Sequence, residues 1–259
     1  MKEEKVVEIK NVSMNYHTLD GETAAIKDIN LDVYNGEIIG IVGPSGCGKS
    51  TLLSIVAGLI KPTRGKVYIN NREVNGPSKD IGYMFQMDHL FEWRNILDNV
   101  LIGLEIKDKI NDDTIKFAES LLETYGLSEF KKHYPNQLSG GMRQRVALIR
   151  TLAVKPDILL LDEPFSALDY QTRLAISDEI GTILKKEKKT ALLVTHDIAE
   201  AISMSDRIVI LSNRPAIIKE ITPIVLSCPN NIKTPMRCRE APEFRHYFNK
   251  IWKELDVHV

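Results

Sequence analysis

The chain has 259 residues, 43% hydrophobic and 27% charged, with a net charge of −1. That length suits one large domain or two small ones, and the balance gives no bulk electrostatic drive toward nucleic acid or an anionic membrane. No apolar run approaches the roughly 18 residues of a bilayer span, the charged start MKEEKVVEIK lacks a signal peptide's apolar core, and three cysteines make no disulfide framework. The expectation is a cytosolic protein with free thiols, Cys228 and Cys238 included.

In chain order, alternation over 6–14 reads as a strand, and 29–33 as a second, closed by the Asn35-Gly36 turn. The apolar run 37–42 meets 43-GPSGCGKS-50, and an apolar-rich helix is expected over 51–59. Strands follow at 66–69, bracketed by Pro62, Gly65 and Asn70-Asn71, and at 81–85, ending at Gln86. The character then turns helical: 97–104 and 114–125 have helical spacing, the second with Ile115, Ala118, Leu121 and Leu122 on one face and Gly126 as its stop. The segment 138-LSGGMRQRVALIR-150 reads as a helix beginning with Ser139, Gly140 and Gly141. A helical glycine costs roughly 1 kcal/mol against alanine, but bare N–H groups at a helix start suit an anion.

Residues 158–161 run apolar into Asp162, the mark of a strand buried on both faces. Each such side chain contributes roughly 1.5–3 kcal/mol on burial. A helix over 172–185, a charged loop over 185–189 and buried strands at 191–194 and 207–211 follow. The tail 242–255 sets Phe244, Tyr247, Phe248, Ile251, Trp252 and Leu255 at helical spacing, with Pro242 suited to the first turn. This helix is expected to dock on the core or on a partner's tail. The order argues for an α/β core over 1–87 and 155–225 with an antiparallel β subdomain, an α-helical subdomain inserted at 88–154, and a tail at 226–259.

GPSGCGKS matches G-x-x-x-x-G-K-[ST], with an apolar strand before it and a helix after it. Its glycines let backbone N–H groups close around phosphates, Lys49 would neutralise the β- and γ-phosphates, and the Ser50 hydroxyl would ligate Mg²⁺. Asp162 lies at the carboxyl edge of the sheet, where ligands of open α/β sheets bind. Strand alternation would point Asp162 and Glu163 to opposite sides, the first toward the metal's water shell, the second toward an attacking water. Gln86 ends a strand where it would touch both metal and water. His196, in 195-THD-197 after a parallel strand, is placed for a γ-phosphate contact.

Taken in this order, the motifs resemble those of the ATP-binding subunits of ABC transporters over nearly the whole chain. Gly43, Pro44, Ser45, Gly46, Cys47, Gly48, Lys49, Ser50 and Thr51 look like the Walker A loop of a P-loop NTPase, and Gln86 like the Q-loop glutamine. LSGGM at 138–142 is similar to the signature, with Met142 where glutamine is most common. The run through Asp162, Glu163 and Pro164 is similar to Walker B with its catalytic glutamate. Residues 166–169, ending in Asp169, resemble the D-loop, His196 the switch histidine, and Tyr16 the aromatic that stacks on adenine. The resemblance implies an ATPase using ATP and Mg²⁺, the metal on Ser50, Gln86 and Asp162. It implies a head-to-tail homodimer in which Ser139, Gly140 and Gly141 meet the γ-phosphate of the partner's ATP. It further implies a transmembrane permease docked near Leu90, Phe91 and Trp93, an extracytoplasmic solute-binding protein, a peripheral place on the cytoplasmic face of the membrane, and no nucleic acid. The WRN at 93–95, 77-PSKDIGYMFQ-86 and 212-SNRPAII-218 look like importers of the nitrate/sulfonate/taurine type, which carry small anions or heterocyclic precursors. The alternative is a soluble ABC ATPase working on nucleic acid or ribosomes. Such proteins carry coiled-coil or zinc inserts, or two cassettes in one chain, which this sequence lacks.

Overall fold

The computed structural model describes residues 4–18, 21–228 and 234–255. A four-stranded antiparallel sheet is built from β1 (Lys5–Thr18), β2 (Gly21–Tyr34), β4 (Arg64–Ile69) and β5 (Arg72–Glu73), in the order β2-β1-β4-β5. A six-stranded sheet has the order β10-β9-β3-β8-β7-β6. It comprises β3 (Ile38–Val42), β6 (Ile81–Met84), β7 (Ile158–Asp162), β8 (Thr190–Val194), β9 (Arg207–Leu211) and β10 (Ile218–Pro223). All its pairings are parallel except that of β10 with β9.

Every residue of β3, β7 and β8 is buried, as expected of a parallel sheet covered on both faces. Their alternate side chains serve two different cores. Ile38, Leu159, Leu161, Ala191 and Leu193 face the helices α2 (Ile96–Ile106), α3 (Asp112–Thr124), α4 (Gly140–Ala153) and α5 (Tyr170–Lys186). Ile39, Ile41, Leu160, Leu192 and Val194 share a second cluster with α1 (Lys49–Val56) and the antiparallel sheet. The helix expected at 51–59 thus begins two residues earlier, directly at Lys49. Gly126, at φ 67, ends the α3 turn as the sequence predicts.

The strands β5 and β10 and the helices α6 (Ile198–Met204) and α7 (Pro235–Cys238) escaped the sequence reading. The tail helix α8 (Phe244–Glu254) starts after Pro242 rather than around it, because Glu243 is its N-cap residue. It packs the buried Ile251 and the half-buried Phe244, Tyr247, Phe248 and Leu255 against Val42, Ile198, Ile202 and Ile210, while Trp252 stacks on Phe248 at the surface.

The free-thiol expectation is overturned at two of three cysteines. Cys228 and Cys238 form a disulfide, with Cα atoms 4.7 Å apart, and among the described residues Cys47 alone is free. Tertiary packing brings the pair together. The short helix α7 (Pro235–Cys238) is seated on α5 by Pro235, which fills the face of Gly181, and by the Met236 N–H, which donates to Asp178 Oδ1 at 2.6 Å. Spacing alone carried no signal of that seat.

Glu200, on α6, is buried, and its Oε1 has no hydrogen-bond partner among the described residues. Burial, reinforced by Asp197, pushes its carboxyl up to about 8 from an ordinary 4.5, against the Thr195 hydroxyl bond and the charges of Arg173 and Arg239. The folded chain therefore holds this proton more tightly than the unfolded chain. The resulting stability is present below about pH 4.5 and is lost as pH rises through about 8. Glu200→Gln removes the titration. Its urea midpoint, relative to the parent's, is expected to climb between about pH 5 and about pH 9; parallel pH profiles would show that Glu200 does not titrate in this window.

Candidate active site

The phosphate loop joins β3 to α1. Gly48 sits at φ 122, and a Cβ there would lie 2.8 Å from Ile26 Cγ2 and 3.1 Å from the Ala25 carbonyl oxygen, so only glycine fits. The first turn of α1 carries no side-chain cap and no acidic residue, leaving its N–H groups and dipole for an anion. Lys49 is buried, and its Nζ donates to the carbonyl oxygens of Gly43 at 2.8 Å and Pro44 at 2.9 Å, lying across the loop. The Cys47 side chain points into the core, where burial raises its thiol pKa, so the backbone is what it gives the loop. Open space surrounds Gly46. At the rim, the Tyr16 hydroxyl lies 3.1 Å from Thr51 Oγ1.

The carboxyl ends of β6, β7 and β8 supply the acidic half. Asp162, the last residue of β7, is only 4% exposed. Burial raises its pKa, opposed by a hydrogen bond from Ser50 and the charge of Lys49. Among the described residues its Oδ1 has no hydrogen-bond partner. A buried carboxylate oxygen without a donor costs about 1–3 kcal/mol or more, and a hard cation relieves that cost, so Ser50 and Asp162 fit Mg²⁺.

Glu163 departs from the alternation expected of it. It lies beyond the strand at φ 48, in the left-handed region, and its N–H donates to the Val194 carbonyl at 2.9 Å. The turn, not the pleat, separates the two carboxylates. Its Oε2 accepts from Gln86 Nε2 at 3.1 Å and lies 3.4 Å from His196 Nδ1. A left-handed backbone at a non-glycine residue costs of order 1–3 kcal/mol and persists only where surroundings enforce it. Here the strain aims a carboxylate at Gln86 and His196, three residues brought together from strands distant in sequence.

Ser139 is the N-cap of α4, its Oγ accepting from the Met142 N–H at 3.3 Å, which leaves the hydroxyl proton free to donate. Gly140 is open, whereas a Cβ at Gly141 would lie 3.1 Å from Leu168 Cδ2. The second glycine therefore answers to packing within its own chain. Among the described residues no hydrogen bond or ion pair joins Ser139, Gly140 or Gly141 to the phosphate loop. Asp169 caps α5 by accepting from the Thr172 N–H at 3.0 Å, and the Thr172 hydroxyl together with that N–H holds its pKa down.

Leu90 does not belong to a docking surface: it is buried in the helical core. The side chain of Asn99, itself buried, bonds the backbone of Phe91, Arg94 and Asn95 and folds the loop so that Leu90 turns inward. Trp93, 75% exposed, remains outside with Phe91 against it. Sequence reasoning also missed the ties from α4 to this loop. Arg143 Nε lies 3.1 Å from Asp88 Oδ2, and Arg150 donates to the carbonyls of Asp88 and His89. It missed Gln144 as well, whose one sequence signal is a polar residue on the buried stripe of Ala147, Leu148 and Thr151.

The family model described as ABC transporter matches residues 26–166. The chain belongs to the ABC transporter family. It is 48% identical over 250 residues to the uncharacterized ABC transporter ATP-binding protein YtlC of Bacillus subtilis (strain 168), covering 96% of this chain and 95% of that protein. It is 42% identical to the aliphatic sulfonates import ATP-binding protein SsuB of Bacillus licheniformis, covering 91% and 89%. Among solved structures, the dimeric bacterial ABC transporter cassette MJ0796 superposes with a TM-score of 0.77 at 35% identity, over 85% of this chain and 99% of that one. Its dimeric post-hydrolysis state bound to ADP and Pi gives 0.74 at 36% identity, over 83% and 99%. This ABC protein is accordingly an ATP hydrolase that uses ATP with Mg²⁺.

Proposed function

We propose that the chain is the ATP-hydrolysing subunit of an importer for a small solute, working as a head-to-tail homodimer beneath a separate permease. The observation that carries the reading is the meeting of Glu163 with Gln86 and His196 beyond a complete phosphate loop. The likeness to a sulfonate-import subunit supports the importer class, and a small anion of that kind, or a heterocyclic precursor, is the cargo. A solute-binding protein outside the cell delivers it. No helix among the described residues is long and apolar enough to cross a membrane, in keeping with a peripheral place on the cytoplasmic face. Action on nucleic acid or ribosomes is not favoured.

In this reading 1–87 and 155–225 form the nucleotide-binding core, 88–154 the helical unit and 226–259 the tail. Tyr16 stacks on adenine, and residues 43–51 hold the phosphates through backbone N–H groups and Lys49. Ser50, Asp162 and Gln86 would hold Mg²⁺, which when bound would offset phosphate charge. Glu163 orients a water and takes its proton as the water oxygen bonds the γ-phosphorus and the bond to the β–γ bridging oxygen breaks, leaving ADP. His196 steadies Glu163 and contacts the γ-phosphate. The partner subunit supplies Ser139 and the N–H groups of Gly140 and Gly141 to the same phosphate, with Asp169 beside them. ATP thus favours the closed dimer, and hydrolysis reopens it. The ties from Arg143 and Arg150 to Asp88 and His89 carry the movement to Phe91 and Trp93, which face the permease.

The test is isolation of the tagged protein from solubilised membranes. A multi-spanning permease is expected to accompany it, and Trp93→Ala to weaken that association at least several-fold with nucleotide affinity unchanged. Recovery with ribosomes or nucleic acid in place of a membrane protein would overturn the importer reading.

A further inference from the structure

Glu163 is gripped at both ends of its residue. Its N–H is held by the Val194 carbonyl of β8, and its carbonyl oxygen accepts from Gln144 Nε2 at 3.1 Å. Gln144 is 4% exposed and spends its whole amide on this one turn. Its Oε1 accepts from the Ala167 N–H at 2.9 Å, and its Nε2 also lies 3.5 Å from Ser166 Oγ, which itself donates to the Glu163 carbonyl at 3.0 Å. A buried primary amide has few reasons to sit on the apolar stripe of a helix unless its partners require it. Here they are the backbone of the strained residue and of the loop that follows it.

We propose that Gln144 is a positioning residue for hydrolysis. It keeps Glu163 in its left-handed conformation, and with it the carboxylate against Gln86 and His196. It also makes that placement depend on how α4 is seated. Ser139 caps the same helix, Gly141 packs on Leu168, and Arg143 reaches Asp88. One rigid helix start therefore bears the group offered to the partner's nucleotide and the amide that sets the hydrolytic carboxylate of its own chain. The inference rests on the reading of Glu163 as the residue that orients water. What it adds is that the signature helix acts inside its own subunit as well as across the dimer.

The test compares Gln144→Met, which keeps the volume and loses the amide, with Gln144→Glu. The latter keeps an acceptor for the Ala167 N–H but faces the Glu163 carbonyl with an oxygen. In both, kcat is expected to fall about tenfold or more with KM for ATP and nucleotide affinity little changed, while Tm drops by a few degrees because buried hydrogen-bond partners of Gln144 are left unpaired. On a Glu163→Gln background neither substitution lowers the residual rate further, because the positioned group is already silent. A purely structural role would lower the rate by the same factor on both backgrounds, and that result would overturn the proposal. If Glu163→Gln abolishes turnover while both Gln144 variants keep the parental kcat, the proposal alone falls. If Glu163→Gln itself turns over normally, the reading beneath it falls too. Should Gln144→Glu fail to fold, Gln144→Met decides.

Discussion

Glu163→Gln is expected to lower ATP turnover at least ~10²-fold, the scale of a general base, while ATP binding persists and an ATP-bound dimer accumulates. The substitution is nearly isosteric. The amide oxygen can still accept from Gln86 Nε2, 3.1 Å away in the parent, so the fold and the phosphate loop have little cause to change. What is lost is the proton acceptor. If an intact γ-phosphate holds the dimer closed, as proposed, slow hydrolysis leaves it closed, and light scattering should report twice the monomer mass only with ATP present. Normal turnover in this variant would remove Glu163 from the mechanism.

Ser139→Arg attacks the other half of the proposed composite site. The change replaces the N-cap of α4, an alteration worth about 1 kcal/mol in helix stability, and sets a long side chain beside the open face of Gly140. Binding of ATP at Lys49 is expected to stay within a few-fold of the parent, since no hydrogen bond or ion pair of Ser139 among the described residues reaches that loop. Turnover is expected to fall as far as in Glu163→Gln, and for a different reason: the subunits no longer close. Combining both substitutions separates the causes. The double variant should remain monomeric with ATP, whereas Glu163→Gln alone dimerises. A closed dimer of the double variant would refute the shared site.

Much of this architecture could be read from one sequence because its strongest signals are local. The all-apolar strands, the phosphate loop between strand and helix, and the carboxylates at the end of 158–161 each follow from short-range chemistry. So does the meeting of Gln86, Glu163 and His196, because parallel strands put their carboxyl ends on one edge. What stayed hidden depends on contacts between remote segments. The Cys228–Cys238 bond requires α7 to sit on α5. The burial of Leu90 requires Asn99 to fold the preceding loop back. The left-handed turn at Glu163 is imposed by β8 on one side and α4 on the other, and no residue type near 163 announces it.

The division of β3, β7 and β8 between two greasy interiors has an evolutionary corollary. Gaining or losing one residue inside any of these strands would exchange the interiors that its side chains serve, and in β7 it would also swing Asp162 away from Ser50. Length changes should therefore collect in the connections, and a descendant of this protein can drift in almost any loop while its central ribbons stay the same size.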